Sequence, residues 1–214
     1  MNASIVKGLE EAILGYDPIS AASLATQAVD QGIDPLEALD AMTAAIGQVG
    51  DGFGRGDLWL PDLVGAADAM QAAMPIIEEE IRRQGKQRSS LGTIVAGTVF
   101  GDIHSIGLSI LVALARAQGF TVIDLGVNVT AETFIEAVLG NEADLMAMSA
   151  LLTTTAYEQE KAIRALSEAG MREDVKVVVG GGAITPEFAE SIGADGYEPT
   201  APLAIDLFRK LLAE

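Results

Sequence analysis

The hydrophobic pattern of the first 85 residues is that of helices packed against one another. Apolar side chains recur three to seven positions apart, as they do from Leu36 to Leu39 and on to Ile46. Two Asp-Pro pairs, Asp17-Pro18 and Asp34-Pro35, each place a capping carboxylate before a proline. Because aspartate favours the N-cap and proline the first helical position, both pairs predict helix starts.

Proline and glycine also predict where these helices stop. The glycine-rich residues 50–56 predict a turn, and Leu60-Pro61 opens the next helix. Pro75 should kink or divide that helix, since proline removes a hydrogen bond and crowds the preceding turn. We therefore predict a bundle of about four helices in residues 1–88.

A polar linker at residues 84–90 precedes a second pattern, in which short apolar runs alternate with amphipathic segments. The apolar runs predict five strands, at residues 93–96, 121–124, 145–148, 175–179 and 196–197. The amphipathic segments predict helices at residues 106–118, 131–139, 156–168, 186–191 and 202–213. Such alternation is typical of a doubly wound parallel sheet. We therefore predict an α/β chain, with a Rossmann-like or flavodoxin-like domain in residues 89–214 after the helical bundle.

Composition narrows the function classes. The 214 residues include 31 acidic and 13 basic side chains and have a formal net charge of −18, which disfavours a nucleic-acid partner. The absence of cysteine excludes disulfides, thiolate metal sites and cysteine nucleophiles, and a single histidine excludes metal sites built from several histidines. The N-terminus lacks the pattern of a signal peptide, and no apolar stretch predicts a membrane span. We expect a cytoplasmic protein with no membrane partner.

Three loops with unusual residues follow predicted strands. They cover residues 101–107, 149–155 and 180–182. In parallel α/β sheets, ligands bind beyond the carboxyl ends of the strands, where the strand order reverses. We therefore expect the functional site at this edge of the sheet.

His104 is the first candidate for chemistry in these loops. A lone histidine is more often a packing or surface residue than a ligand. Here Asp102 stands two positions earlier, where its carboxylate could accept a hydrogen bond from one ring nitrogen. The other nitrogen would then be free for a metal or a substrate. Ser149, on the neighbouring loop, could extend this hydrogen-bonded relay.

Other residues near this edge have two interpretations each. The run Gly180, Gly181 and Gly182 could let the backbone approach a phosphate or a flat ring. Residues 153–155, three threonines, could line a ligand slot, although capping the next helix is the favoured interpretation. Trp59, in the helical region, is either a core anchor or a residue that faces a ligand.

A recognisable pattern connects the three loops. Asp102, His104 and Gly107 stand at the spacing of the D-x-H-x-x-G motif of cobalamin-binding domains. After residues 108–148 come Ser149 and Leu151, at the spacing of the family's S-x-L motif; after residues 152–179 come Gly180 and Gly181, as in its G-G motif. Residues 49–63 resemble the cap helices of methionine synthase and of small corrinoid proteins. The chain therefore resembles the cap plus cobalamin-binding domains of that family over nearly its whole length.

The resemblance implies roles for individual residues. His104 would replace the dimethylbenzimidazole of cobalamin as the lower axial ligand of cobalt, with Asp102 and then Ser149 hydrogen-bonded behind it in a proton relay. These three are the predicted catalytic residues. The remaining predicted cofactor-binding residues line the crevice for the nucleotide tail or cover the upper face: Ser105, Ile106, Gly107, Leu151, Thr153, Gly180, Gly181 and Gly182 in the α/β domain, and Phe53, Trp59 and Leu60 in the cap.

The chain departs from the resemblance at three positions. Many methyl carriers read D-x-H-D-I-G-K-N, whereas Ser105, Leu108 and Ser109 stand here in place of the acid, the lysine and the amide. The D-x-H-x-x-G motif itself is intact.

The implied function is that of a small corrinoid protein in a methyltransferase system, a carrier that is not an enzyme by itself. Its cofactor would be cobalamin, cycling between methylcobalamin and cob(I)alamin. Its partners would be a substrate:corrinoid methyltransferase, a second methyltransferase that uses tetrahydrofolate or coenzyme M, and a reductive activator. The alternative within the family is a cobalamin-dependent sensor or regulatory module; outside it, the alternative is a flavodoxin-like protein that binds no cobalamin. A mutase would need a substrate barrel, for which the chain has no residues left.

Overall fold

The computed structural model describes residues 2–86 and 90–213. The chain divides into two compact units, Met1–Ser89 and Ser90–Glu214, and each is described by itself. The predicted boundary between residues 88 and 89, and residues 87–89 of the predicted linker, lie outside the described residues. No helix in the described ranges is both long enough and apolar enough to cross a membrane.

The N-terminal unit is helical, as predicted. Its four helices within residues 2–86 are α1 (Asn2–Leu14), α2 (Pro18–Asp30), α3 (Pro35–Gly54) and α4 (Leu60–Arg83). Both predicted caps are present: Asp17 accepts from the backbone N–H of Ile19 and Ser20, and Asp34 accepts from that of Leu36. These bonds satisfy amide groups that have no partner within a helix, which is why the chain turns into helices there.

Two details of this unit differ from the sequence predictions. Helix α3 continues through most of the glycine-rich segment and ends at Gly54, so the turn begins at Arg55. Gly52 is buried, and a Cβ atom there would lie 2.8 Å from Leu58 Cδ1; this glycine therefore serves close packing within a helix. Helix α4 is not divided at Pro75 but runs from Leu60 to Arg83, with Met74 and Ile77 buried on either side of the proline.

The C-terminal unit is built on a five-stranded parallel sheet. The strands are β1 (Thr93–Thr98), β2 (Thr121–Asp124), β3 (Leu145–Ser149), β4 (Lys176–Gly180) and β5 (Gly196–Tyr197), in the order β2-β1-β3-β4-β5. The strand order reverses direction between β1 and β3, so the expected switch point lies there. The predicted Rossmann-like sheet is confirmed.

Helices cover this sheet on both faces. They are α5 (Ile106–Ala117), α6 (Ala131–Gly140), α7 (Thr153–Glu168), α8 (Pro186–Ser191) and α9 (Ala201–Leu211). Helix α6 packs with α7, and α5 packs with α9. Alternate strand residues such as Val95, Met146 and Val177 share a buried core with Phe134 of α6 and Leu166 of α7. Burial of strand residues on both sides explains why the strands are continuous apolar runs.

Candidate functional site

The three predicted loops leave the sheet side by side. Thr98 at the end of β1 pairs in register with Ser149 at the end of β3, and Ser149 pairs with Gly180 at the end of β4. Since β1, β3 and β4 are adjacent and parallel, the loops that follow them emerge at one edge. The prediction that these loops meet at the switch point is confirmed.

His104 and Asp102 form the centre of this edge. His104 Nδ1 lies 2.6 Å from Asp102 Oδ1, and the His104 backbone N–H donates to the same oxygen at 3.1 Å. The imidazole is 46% exposed, whereas the carboxylate is fully buried. Because the carboxylate holds the proton on Nδ1, the lone pair of a neutral ring is on Nε2, where it can bind a metal. This is the arrangement expected behind a metal-binding histidine.

The second oxygen of Asp102 is held from the loop after β3. Thr155 Oγ1 and the Leu151 backbone N–H each donate to Asp102 Oδ2 at 2.8 Å. Burial by itself would raise the pKa of this carboxyl. The hydrogen bonds from His104, Thr155 and Leu151 outweigh burial and hold the pKa of Asp102 below its usual range. Asp102 is therefore an anion at neutral pH, fixed between two loops.

The hydroxyl behind Asp102 differs from the one that we expected. The sequence interpretation extended the relay from Asp102 to Ser149, but the structure places Thr155 against the carboxylate instead. In the described parts of the chain, no hydrogen bond joins Ser149 Oγ to Asp102 or His104. Helix α7 begins at Thr153, not at residue 156 as predicted, so the buried Thr155 side chain lies within the first helical turn. Thr153, a predicted binding residue, is exposed at the start of the same helix.

The glycines after β4 allow two loops to touch. Gly181 has φ +115°, and a Cβ atom there would lie 2.0 Å from the Ala150 carbonyl oxygen. A Cβ atom at Gly182 would lie 2.7 Å from a Leu151 methyl group, whereas the first glycine of the run, Gly180, ends the strand. Only glycine fits at position 181, because any side chain would overlap backbone atoms.

The start of α5 leaves open space beside His104. Ser105 is its exposed N-cap residue, and Ile106 is also exposed. A Cβ atom at Gly107 would have no atom within 4 Å. Ile103, which precedes His104 in its loop, and Leu151, in the loop after β3, also expose apolar side chains. An exposed imidazole with exposed apolar side chains in the same two loops, and open space at Gly107, fits a metal that arrives inside an organic macrocycle.

The three remaining predicted residues belong to the helical unit. Phe53 is half-buried near the end of α3, while Trp59 and Leu60 are exposed at the start of α4, Trp59 to 75%. Trp59 is therefore not a core anchor. Its backbone N–H donates to Asp62 Oδ2 at 2.7 Å, which fixes the corner that displays the ring. Contact of these residues with a cofactor stays a prediction.

Known proteins with similar sequences carry both units. Residues 92–206 match the family described as B12 binding domain, and residues 5–78 match a second family with the same description. The trimethylamine corrinoid protein of Methanosarcina barkeri is 41% identical over 202 residues, which cover 94% of this chain and 93% of that protein. A corrinoid protein of Desulfitobacterium hafniense is 39% identical over an alignment of 216 positions, which covers 100% of both chains.

Solved structures of cobalamin-binding proteins are also similar to this chain. The methanol:cobalamin methyltransferase complex MtaBC from Methanosarcina barkeri contains a chain that is 29% identical, with a TM-score of 0.81 over 98% of this chain and 80% of that one. A cobalamin-binding protein from Desulfitobacterium hafniense is 25% identical, with a TM-score of 0.70 over 96% of this chain and 98% of that one. From these matches and the geometry of the sheet edge, we conclude that this chain belongs to the family of B12-binding corrinoid proteins.

Proposed function

We propose that this chain is a methyl carrier that holds cobalamin through His104, with the dimethylbenzimidazole base of the cofactor displaced. The observation that carries this proposal is the half-exposed imidazole, which is bonded through Nδ1 to a buried carboxylate at the carboxyl edge of the sheet. When bound, the corrinoid supplies a cobalt ion that can accept and release a methyl group. The protein supplies the axial ligand and its surroundings.

The residues behind His104 would keep the neutral ring in one tautomer and one orientation. Asp102 accepts the Nδ1 proton, so Nε2 keeps its lone pair for the metal. Thr155 and the Leu151 backbone N–H hold the carboxylate from the other side, which prevents it from rotating away. In this proposal Thr155 takes the place that the sequence interpretation assigned to Ser149.

Small residues at the edge would make room for the displaced nucleotide tail. Gly107 faces open space. The loops after β3 and β4 are in close contact, which is possible because residue 181 has no side chain. Exposed Leu151 and Ile103 would contact the apolar parts of the ring. Phe53, Trp59 and Leu60 of the helical unit are proposed to cover the opposite face of the cofactor.

The partners follow from the chemistry of a carrier. One methyltransferase would load the methyl group from its substrate, and a second would remove it to tetrahydrofolate or coenzyme M; a reductive activator would restore the reduced cofactor. Relatives named for trimethylamine, and the solved methanol:cobalamin complex, support a methylamine or methanol donor. We also propose a cytoplasmic location, where these partners and their cofactors would be found.

Reconstitution with hydroxocobalamin tests the binding mode. The wild-type protein should retain one corrinoid per chain, with an absorption spectrum that differs from that of the free cofactor. His104→Ala should abolish that difference. Asp124→Asn is the matched control, since Asp124 ends β2 at the same edge and bonds only to the Gly126 backbone among its described hydrogen bonds. A wild-type protein that retains no corrinoid after gel filtration would refute the proposal.

Methyl transfer is tested separately. The reduced holoprotein should accept a radiolabelled methyl group from a methylamine or methanol donor when the matching substrate:corrinoid methyltransferase is added. The holoprotein without that enzyme should accept none. Failure of every such donor enzyme to label a correctly reconstituted holoprotein would argue against the carrier role and favour a sensor.

A further inference from the structure

The loop that carries Asp102 and His104 forms two hydrogen bonds with the loop that follows β2. The Gly101 backbone N–H donates to Asn128 Oδ1 at 2.8 Å. The Asn128 backbone N–H donates to the Asp102 carbonyl oxygen at 2.9 Å. A single residue therefore binds backbone groups that lie before and after the Asp102 α-carbon.

Packing by side chains cannot fix this loop. Phe100, Ile103 and His104 are exposed, and Asp102 is the buried side chain among them. The backbone between Gly101 and His104 also lies outside any helix or strand. Hydrogen bonds from neighbouring elements must therefore hold it, since neither buried apolar area nor regular secondary structure does.

Asn128 has a backbone conformation that few residues adopt. Its φ angle is +58°, in the left-handed region. Asparagine and aspartate tolerate this region better than other residues that have a side chain. Asparagine thus combines the required backbone conformation with a side-chain oxygen that reaches Gly101.

Asn128 is itself anchored to β1. The next residue, Val129, is buried and forms a parallel bridge with Val99. The Val129 N–H donates to the Thr98 carbonyl oxygen at 3.0 Å, and the Thr98 N–H donates to the Gly126 carbonyl oxygen at 2.9 Å. The contacts of Asn128 therefore connect the histidine loop to the sheet and not to another free loop.

Thr98 adds a contact at the far end of the loop. This threonine is fully buried, and its Oγ1 donates to the His104 carbonyl oxygen at 3.3 Å. The backbone from Gly101 to His104 is thus held at both ends by groups outside it. These contacts do not depend on the bond between the imidazole and the carboxylate.

We propose that Asn128 is a positioning residue, which holds the backbone of Asp102 so that the His104 ring is already placed to bind the metal of a corrinoid. This inference rests on the proposed function, because it assumes that His104 is the axial ligand. Preorganisation of this kind strengthens binding, since less freedom is lost when the ligand bond forms. In this proposal Asn128 acts through the backbone of Gly101 and Asp102 and is not itself a ligand of the metal.

Three variants separate this role from general stability. Asn128→Gly keeps the backbone N–H and the positive φ but removes Oδ1, whereas Asn128→Asp keeps an oxygen acceptor. Thr130→Ala is the matched control, because Thr130 caps α6 two residues later and its described side-chain hydrogen bonds go to Thr133 and not to the histidine loop. The measurements are the dissociation constant of hydroxocobalamin, by absorbance, and amide hydrogen exchange of Gly101 and His104 in the apoprotein.

Asn128→Gly should weaken hydroxocobalamin binding about fivefold and speed exchange of the Gly101 amide by a similar factor, the loss expected for one net hydrogen bond. Asn128→Asp and Thr130→Ala should stay within about twofold of wild type in both measurements. Binding by Asn128→Gly within about twofold of wild type, or an equal loss in Thr130→Ala, would overturn the inference. A wild-type protein that retains no corrinoid would instead refute the proposed function, and exchange in the apoprotein would still show whether Asn128 holds the loop.

Discussion

Replacing Thr155 with valine should destabilise the α/β unit, because it removes a hydrogen bond from a buried anion. Thr155 Oγ1 lies 2.8 Å from Asp102 Oδ2 and 3.0 Å from the Leu152 carbonyl oxygen, and its single proton can serve only one of them. The carboxylate is the stronger acceptor. Valine has a similar shape, so the substitution leaves no large cavity, and the loss is mainly that of the hydrogen bond.

The size of the effect follows from what remains around Asp102. Hydrogen bonds to charged groups contribute about 1.5–3 kcal/mol. The Leu151 N–H still donates to the same oxygen, and His104 still holds the other one. We therefore expect Thr155→Val to lower the free energy of unfolding by about 1.5–2 kcal/mol at pH 7. Thr155→Ser, which keeps the hydroxyl, should recover most of that loss.

Urea unfolding of the apoprotein, followed by far-ultraviolet circular dichroism, measures this difference. Ser149→Ala is the control, since Ser149 ends β3 nearby without a described bond to Asp102, and it should change stability by less than about 0.5 kcal/mol. A loss below about 0.5 kcal/mol for Thr155→Val, or an equal loss for Ser149→Ala, would refute the assignment of Thr155 to the carboxylate.

The pH dependence of this difference has a definite sign. The pKa of Asp102 is lowered in the folded protein, while an unfolded aspartate titrates near pH ~3.9. The stabilisation is therefore present above about pH 4 and is lost as the pH falls toward the folded-state pKa. Because Thr155→Val removes one of the bonds that lower this pKa, its difference from wild type should shrink below about pH 4. A difference that grows with acidity would contradict the reasoning.

Three further predictions concern packing and charge. Gly181→Ala should cost about 3 kcal/mol or more in urea unfolding, since it adds backbone overlap to conformational strain; Gly193→Ala, with φ +75° and open space, should cost only about 1–2 kcal/mol. Glu80→Gln should lower the urea midpoint of the helical unit more than Glu79→Gln, because Glu80 is buried and receives two hydrogen bonds from Arg83, whereas Glu79 is exposed. Those bonds lower the pKa of Glu80 to about 2, so its stabilisation should be lost between about pH 4.5 and 2, which far-ultraviolet circular dichroism can follow. Equal costs within either pair, or an acid transition unchanged in Glu80→Gln, would contradict these predictions.

In the helical unit, local sequence patterns predicted the helix starts but not the end of α3. The caps at Asp17 and Asp34 were predictable because a capping carboxylate interacts with amides two or three residues away. The helical state of residues 50–54 was not predictable from the same rules, since glycine favours turns. In the structure Gly52 is buried within α3 and lies so close to Leu58 that a Cβ atom would not fit, a packing demand that turn propensities do not express.

In the candidate site, too, one contact was predictable from the sequence and another was not. The spacing of its motifs placed Asp102 and His104 on one loop, and two residues of separation suffice for their hydrogen bond. The hydroxyl behind the carboxylate depended on where α7 begins. A helix that starts three residues earlier than predicted places Thr155, and not Ser149, against Asp102.

By itself, the sequence determined the elements, the α/β class and the histidine–carboxylate pair, because caps, periodicity and motif spacing express interactions over a few residues. Only the tertiary structure decided which groups meet across the loops: Thr155 with Asp102, Gly181 with Ala150, and Asn128 with Gly101. The physical reason is that all three contacts join residues 27 to 53 positions apart along the chain. Their geometry depends on strand order and register, which bring the ends of β1, β2, β3 and β4 to one edge.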